Sequence, residues 1–407
     1  MKRYLKIALL FFMWLPALSH AQNVPSPHVE WTHPGPLRAD SSNFVTASLL
    51  VTSPGKAFYS NLGHCTVRLE CPMFNLDYCF SFETDVEPGD FLRFFAGQAN
   101  GHIVAVPTAE YLKPAQREGR GVKQYVLNLT PHERQELWKI LDQDMVNEKN
   151  RKFNFLQNNC SSISMLMIED ALLGEQIFYR WHPMVPESLP TGEAIRFTQR
   201  HSPWSKFISI ALVGSEADFV CDNRMRISPE IIVPIFQQSH IADTVGNNRP
   251  VLTGEIKTLL PQHEKFTPTP RTPMLIFGIL LAIILLVTVV EWKTRWKQPA
   301  RVIDIIMFTC QTILGLLLIY MSTVSCLFGT HWNWYLIPFN PVPFLIWLLF
   351  RKRKNYHRVY LFYGIVLLLF ILATPLSSQL DMEHQLITAA LATRCLAAGL
   401  QIGNKKA

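Results

Sequence analysis

Charge is scarce in this chain and unevenly distributed. Only 17% of the 407 residues are Asp, Glu, Lys or Arg, and 49% are hydrophobic. Residues 22–272 carry 23 basic and 27 acidic side chains, so the formal net charge of +7 comes from the remaining segments. Basic residues that flank apolar stretches are typical of membrane orientation rather than of a nucleic-acid surface. We therefore expect no nucleic-acid partner, and the low charge density argues against a disordered chain.

Internal repeats, low-complexity tracts and familiar metal-ligand spacings are also missing. Without repeats, a solenoid or repeat array is not expected. Cys65, Cys71 and Cys79 fall on one predicted hairpin, where a disulfide between two of them is possible without the sequence fixing which two. Their spacing matches no zinc knuckle, so a three-Cys zinc site is the weaker alternative. We expect neither a metal nor a cofactor.

The first 21 residues have the pattern of a cleaved secretory signal. A basic start precedes an apolar run from Ile7 to Ala17, and the small residues Ser19 and Ala21 follow. That run is short for a transmembrane helix, which must cross about 30 Å of hydrocarbon. No Cys follows the cleavage site, so we do not expect the mature chain to be a lipoprotein.

Long uncharged runs are confined to the C-terminal third. Pro273–Val290 has no charged residue and, at 1.5 Å per residue, spans about 27 Å as a helix. Three further uncharged runs and a fifth candidate, which is interrupted by Arg394, follow at 305–330, 332–350, 359–378 and 385–402. The third contains several prolines, so we expect it to be partly unwound at its outer end.

The linkers between these runs predict the topology. Lys and Arg cluster at 293–301 and 351–358, whereas the alternate linkers carry none. Because basic loops stay in the cytoplasm, residues 22–272 face the periplasm of a bacterium and the protein is a multi-pass protein of the inner membrane. We therefore predict three parts. They are a signal peptide at 1–21, a periplasmic catalytic domain at 22–272 (core about 40–175, extension 176–272) and a transmembrane domain of about five spans at 273–407.

Residues 22–272 predict an α+β domain. Strands are expected at 44–53, 63–71, 76–82, 101–106 and 122–128, because β-branched and aromatic residues alternate there. Thr130, Pro131 and Glu133 have the pattern of an N-cap, a first-turn proline and a capping-box acid, which predicts a helix. A second helix is expected from Cys160 to about Leu173.

Cys160 and His64 are the candidate catalytic pair. Cys160 stands in FNFLQNNCSS at the start of the second helix, where free backbone amides and the helix dipole favour a thiolate. His64 stands on a predicted strand after a glycine and is the candidate proton acceptor. The alternatives are a disulfide from Cys160 to Cys221 and a purely structural histidine.

Other polar residues are candidates for supporting roles. Asp77, Ser81 and Glu83 share one strand face, and we select Asp77 as the group that orients His64. Asn159 is expected to cap the helix or, less favourably, to stabilise an oxyanion.

Two further sites are candidates for substrate binding. Arg120 is a candidate clamp for a phosphate or carboxylate, although a surface ion pair is the commoner fate of an arginine. In the loop HWNWYLIPFNP, His331 and Asn333 lie among tryptophans expected at the outer membrane interface. These two are candidate contacts for a lipid headgroup or substrate.

Several strings resemble one family. LLVTSPGKAFYSNLGHCTVRL, DFLRFFAG, REGRGV, YVLNLTPHE and FNFLQNNCSS are similar to the Lnb-type periplasmic domain, and THWNWYLIPFNP resembles a loop of that family's membrane domain. The resemblance implies a permuted papain-like (NlpC-like) fold in the periplasm. It also implies a lipoprotein N-acyltransferase, with Cys160 and His64 as the catalytic residues.

Such an enzyme moves an acyl chain from a membrane phospholipid to the α-amine of a diacylglyceryl lipoprotein. Two alternatives remain at this point. One is a membrane-tethered cysteine peptidase or amidase that uses the same pair with water. The other is a non-enzymatic protein of cell-envelope assembly or binding, in which Cys160 is structural.

Overall fold

The computed structural model describes residues 45–55, 60–86, 90–180, 189–220, 228–243, 245–263, 272–350 and 356–400. The predicted signal peptide at 1–21 and Cys221 lie outside these ranges.

The described strands form two antiparallel sheets. They are β1 (Thr46–Thr52), β2 (His64–Cys71), β3 (Leu76–Thr84), β4 (Asn100–Pro107), β5 (Val122–Leu127), β6 (Arg151–Lys152), β7 (Gln176–Phe178), β8 (His240–Ala242), β9 (Asn248–Pro250) and β10 (Leu252–Leu260). The main sheet has the order β10-β5-β1-β2-β3-β4-β6, and β7-β8-β9 form a small second sheet. The five strands predicted from sequence are all present. No individual helix or strand was predicted from sequence for the extension, yet it supplies β10 at the edge of the main sheet.

Seven described helices accompany the sheets. They are α1 (Phe91–Phe95), α2 (Thr108–Arg117), α3 (Pro131–Val146), α4 (Cys160–Asp170), α5 (Thr191–Thr198), α6 (Pro203–Leu212) and α7 (Ile232–Gln238). The predicted start of α3 is confirmed, because Thr130 and Glu133 form the full capping box. Gly174 follows α4 with a φ of 92°, a conformation that glycine adopts without strain.

The two faces of the main sheet carry different groups. On β2, Cys65, Val67 and Leu69 point into the main core, together with residues of α3 and α4. Cys79 lies opposite Arg68 on the neighbouring strand and belongs to a smaller core under α2. Helix α4, which begins at Cys160, therefore packs on the face to which Cys65 points.

This arrangement rules out the predicted hairpin disulfide. Cys65 and Cys71 share one strand face, but six residues of strand separate them by about 20 Å. Cys79 lies on the opposite face, and a disulfide needs Cα atoms within about 7 Å. All three are buried free thiols.

The C-terminal part consists of helices. They are α8 (Pro273–Thr294), α9 (Gln298–Thr323), α10 (Val342–Phe350), α11 (Tyr356–Leu372) and α12 (Met382–Gly399). Among the described residues, α8 and α9 are long and apolar enough to cross a membrane. In the third predicted run, only α10 and a 3-10 turn at Trp334–Leu336 are helical, as expected for a run that is partly unwound at its outer end. Nine residues of helix rise about 14 Å, which is less than a bilayer core.

The extension and the C-terminal helices share a core. Ile195 and Ile210 of the extension cluster with Tyr335, Phe339 and other buried residues of the C-terminal part. Backbone hydrogen bonds reinforce the contact, since the N–H of Gly214 donates to Gly329 O at 2.6 Å. The N-terminal domain is thus held against the outer ends of the C-terminal helices.

Candidate active site

The start of α4 holds Cys160 in a defined position. Asn159 is the N-cap, and its Oδ1 accepts from the N–H groups of Ser161 and Ser162 at 2.9 and 3.0 Å. Its Nδ2 donates to Phe155 O at 2.9 Å. Asn159 therefore caps the helix as predicted, and one of the two N–H donors of its amide is used at Phe155 O.

The capping box leaves one helix-start donor unused. The N–H groups of Asn159, Ser161 and Ser162 all have acceptors within the box. Within the described residues, the N–H of Cys160 has no hydrogen-bond acceptor. The first N–H groups of a helix point away from the helix and carry its positive end. The site therefore has a free N–H on the residue that also carries the sulfur.

His64 is placed by a turn that only glycine fits. Gly63 has a φ of 81°, and a Cβ there would lie 2.8 Å from Thr52 O. His64 then opens β2, with a quarter (25%) of its side chain exposed. The next residue, Cys65, donates to Ser161 Oγ beside Cys160 at 3.3 Å, and the charges of His64 and Cys160 shift each other's pKa, so the two side chains are neighbours. The structure thus brings together the two residues that the sequence predicted as a pair.

The two groups change each other's pKa in opposite directions. Burial disfavours the imidazolium, but the charge of Cys160, its hydrogen bond and the charge of Glu83 together raise the pKa of His64 to about 9. The hydrogen bond from the Cys65 thiol lowers the pKa of Cys160 well below its usual range, with help from His64 and against the effect of burial. Both shifts favour the thiolate and imidazolium forms of the pair over the neutral forms.

Ser81 and Glu83 support the far side of the ring. His64 Nε2 lies 2.8 Å from Ser81 Oγ, and that hydroxyl donates to Glu83 Oε1 at 2.6 Å. Since Ser81 has one proton and gives it to Glu83, Nε2 must be the donor to Ser81. Nδ1 is then the ring nitrogen left for Cys160. This is the arrangement needed to hold the imidazole in one orientation.

Asp77 does not take this role. Both of its carboxylate oxygens accept from Arg68 at 2.7 Å, and Thr108 Oγ1 donates to Oδ1 at 2.5 Å. It pairs with Glu70 across the hairpin, six residues along β2 from His64. No contact within the described residues joins Asp77 to His64. The alternation pattern correctly placed Asp77 on the same strand face as Ser81 and Glu83. The prediction that Asp77 orients His64 is wrong, because Asp77 lies too far along the strand.

Cys65 is a site residue that the sequence reasoning missed. It is fully buried, and its thiol donates to Ser161 Oγ at 3.3 Å as well as to the Cys160 sulfur. Burial and the neighbouring Cys160 sulfur raise the pKa of Cys65 well above its usual range, so it remains a thiol. The feature that could have identified Cys65 was its position next to His64, on the strand face that points towards α4.

Arg120 lies near the pair and keeps one donor free. Its Nε donates to Ser53 O at 2.7 Å, and one terminal nitrogen lies 3.3 Å from Glu118. The other terminal nitrogen is buried and has no partner within the described residues. The charge of Arg120 acts against protonation of His64, which shows that the two are neighbours.

The two membrane-loop candidates differ from each other. Asn333 is buried and donates to Ala211 O at 2.7 Å, while its Oδ1 accepts from Gln379 at 2.7 Å and from the N–H of Tyr335 at 2.8 Å. It therefore joins protein segments, and the prediction that it binds substrate is wrong. His331 is exposed, and its Nδ1 lies 3.0 Å from Ser322 O. No described contact links either residue to Cys160.

Comparison with known families is consistent with this architecture. No cluster of three or more metal-ligating side chains occurs within the described residues. No curated protein and no solved structure matches the chain. A family model described as the Lnb N-terminal periplasmic domain matches residues 36–181, and one described as the Lnb transmembrane domain matches residues 263–406. With both domains present in this order, the chain belongs to the Lnb family of membrane proteins with a periplasmic domain.

Proposed function

We propose that this protein is a lipoprotein N-acyltransferase that carries a fatty acyl chain as a thioester on Cys160. The observation that carries the proposal is the contact between the Cys160 sulfur and His64, at a helix start in a chain with both Lnb domains. A thiolate beside an imidazolium is a nucleophile already prepared for acyl transfer.

In the first step, the Cys160 thiolate attacks the ester carbonyl carbon of a phospholipid. The carbonyl oxygen becomes an oxyanion, and the free N–H of Cys160 is the donor available to it. When the carbon–oxygen bond breaks, Nδ1–H of His64 protonates the departing lysophospholipid alcohol. The products are an acyl thioester, a lysophospholipid and a neutral His64.

In the second step, the α-amine of a diacylglyceryl lipoprotein attacks the thioester carbonyl. Neutral His64 accepts the proton from the attacking amine, whose pKa as a free α-amine is about 8. The carbon–sulfur bond breaks, the amide forms, and the thiolate and imidazolium are restored. A thioester suits this exchange because it retains acyl energy that an amine can capture.

Three neighbouring side chains support the proposed chemistry. Ser81 and Glu83 orient His64 and favour its charged form, and the Cys65 thiol donates to the Cys160 sulfur. The unpartnered terminal nitrogen of Arg120 is suited to the phosphate of the donor lipid. His331 stays a candidate headgroup contact.

The transfer reaction is tested by trapping the intermediate. The full chain in vesicles of phospholipid with a radiolabelled acyl chain should acquire label that hydroxylamine removes. Cys160→Ala should acquire none, because the proposed nucleophile has been removed. Cys310→Ala, which removes an exposed thiol in α9, is the matched control and should label like the native protein. Hydroxylamine-sensitive label on Cys160→Ala would refute the scheme.

A second measurement separates transfer from hydrolysis. The peptidase or amidase alternative uses water as the acceptor, so it predicts cleavage of a lipid-free peptide by this protein. The proposed transferase instead predicts that mass spectrometry finds a third acyl chain on lipoprotein N-termini only in cells that contain the protein. Peptide cleavage without any such chain would favour the hydrolase.

A further inference from the structure

An aromatic ridge connects the start of α4 with the outer end of α9. The ridge consists of Phe94, Phe95, Phe153 and Phe155. The ring centroids of Phe94 and Phe155 are 5.5 Å apart, and those of Phe153 and Phe155 are 5.2 Å apart, both edge to face. Phe155 is 43% exposed. Aromatic side chains packed this way form one continuous apolar surface.

One end of the ridge is tied to the nucleophile. The carbonyl of Phe155 accepts from Nδ2 of Asn159, the cap of the helix that Cys160 begins. Phe153 and Cys160 also both pack against the main core. A group that lies along Phe155 is therefore directed to the helix start.

The other end is tied to the loop that follows α9. Ser325 Oγ donates to Phe95 O at 2.6 Å, and the N–H of Cys326 donates to Ala96 O at 3.1 Å. The loop approaches so closely that a Cβ on Gly97 would overlap the backbone of Leu327. Val324, at the end of α9, is 63% exposed. Through these contacts the ridge adjoins the end of a helix that is long and apolar enough to cross a membrane.

We propose that this ridge binds one fatty acyl chain of the donor phospholipid and guides its ester to Cys160. The inference rests on the proposed function and specifies where the substrate lies. An ester carbon in a bilayer reaches a periplasmic sulfur only if part of its chain leaves the hydrocarbon. Each methylene that enters water is unfavourable, and an apolar strip along the route removes most of that cost. A single chain suits the feature because the four rings form one cluster beside the end of a membrane helix.

Photo-crosslinking tests the location without requiring any reaction. The full-length Cys160→Ala protein would be placed in nanodiscs that contain a phospholipid with a diazirine near the ester end of one chain. After irradiation, mass spectrometry should find the lipid attached within residues 91–97 or 153–156. Phe155→Ser should reduce that attachment about fivefold, as expected for a loss of roughly 1 kcal/mol of contact. Attachment confined to residues of α8 to α12 would overturn the ridge.

A chain-length series then tests the use of the ridge. Acylation of the native protein by p-nitrophenyl butanoate and by p-nitrophenyl dodecanoate is followed by release of p-nitrophenolate. The ratio of the dodecanoate rate to the butanoate rate should fall about tenfold in Phe155→Ser. Phe178→Ser, which removes a half-exposed phenylalanine of β7, is the control and should leave the ratio unchanged.

The outcomes separate the two proposals. If neither ester acylates the native protein, the Cys160 thioester scheme fails, while the crosslinking result still decides the ridge. If both esters react and the ratio is the same in all variants, the ridge proposal fails and the thioester scheme survives.

Discussion

Two buried charge networks in this protein have opposite properties. In the periplasmic domain, Cys160 and His64 shift each other's pKa. Their site retains the free N–H of Cys160, and a quarter of the His64 side chain is exposed to solvent. Between the C-terminal helices, Arg394 is 1% exposed and every nitrogen of its guanidinium has a partner. The partners are Thr288, Glu291 and Asp304.

The difference indicates what each network does. A saturated network has nothing left with which to bind another molecule, so its charges hold three helices in one register. The site network has donors without acceptors and a proton that either of two groups can hold, which is what proton transfer requires. The degree of hydrogen-bond satisfaction therefore distinguishes structural from reactive charge here more clearly than burial does.

The largest expected effect is on the reactive network. His64→Gln removes the group that moves the proton in both steps, so acyl transfer should fall by about 10² to 10⁴. His132, which is exposed near the start of α3, provides the matched control. His132→Gln should change the rate by less than about twofold, because a surface substitution away from the site costs little. Equal losses in the two variants would show that His64 has only a structural role.

Breaking the membrane network should instead reduce stability. Arg394→Met leaves the carboxylates of Glu291 and Asp304 without their buried partner, which should cost about 3–5 kcal/mol of unfolding free energy. Unfolding in detergent, followed by circular dichroism, provides the measurement. Arg200→Met breaks a partly exposed pair with Glu230 and should cost about 0–1 kcal/mol. A similarly small loss for Arg394→Met would show that the buried ion pairs of Arg394 do not stabilise the fold.

Asn333 tests whether an uncharged side chain with several hydrogen-bond partners also stabilises the fold. Asn333→Leu leaves Ala211 O and the amide of Gln379 without their partner and should cost about 1–3 kcal/mol. His331→Leu, two residues earlier in the same loop, should cost less than about 0.5 kcal/mol because that ring is exposed. Thermal unfolding of the two variants compares them directly. The reverse order would contradict the assignment of Asn333 to the domain contact.

The smallest expected effect is a shift in pH dependence. Thioester formation needs the imidazolium of His64 to protonate the leaving alcohol, so its rate should fall as pH rises through about 9. Because Glu83 raises the pKa of His64, Glu83→Gln should move this fall to lower pH. The rate of p-nitrophenolate release is unsuitable, since that leaving group needs no proton, so lysophospholipid release is measured. Glu70→Gln serves as the control, and an unchanged profile in Glu83→Gln would remove Glu83 from the site.

Much of the periplasmic fold was accessible from local patterns. The alternation of residues predicted five strands of the main sheet, and the capping sequence at Thr130 predicted the start of α3. The NC pair before an apolar helix predicted the position of Cys160. These features depend on neighbours within four residues along the chain, so the sequence contains all the information that they need.

The remaining features depend on contacts between distant segments. Alternation put Asp77, Ser81 and Glu83 on one face, but only the register of β2 against β3 puts Ser81 and Glu83 beside His64 and leaves Asp77 with Arg68. The burial of Asn333 and the place of β10 at the sheet edge also depend on contacts between segments that are far apart in sequence.

Local chemistry in the chain thus indicated which sulfur and which imidazole to propose as the reactive pair. Packing settled which groups hold them and which polar residues are already occupied. The physical reason is that a hydrogen bond is assigned by the distance between two atoms in space, and for residues far apart in sequence that distance exists only after the sheet and helices have come together.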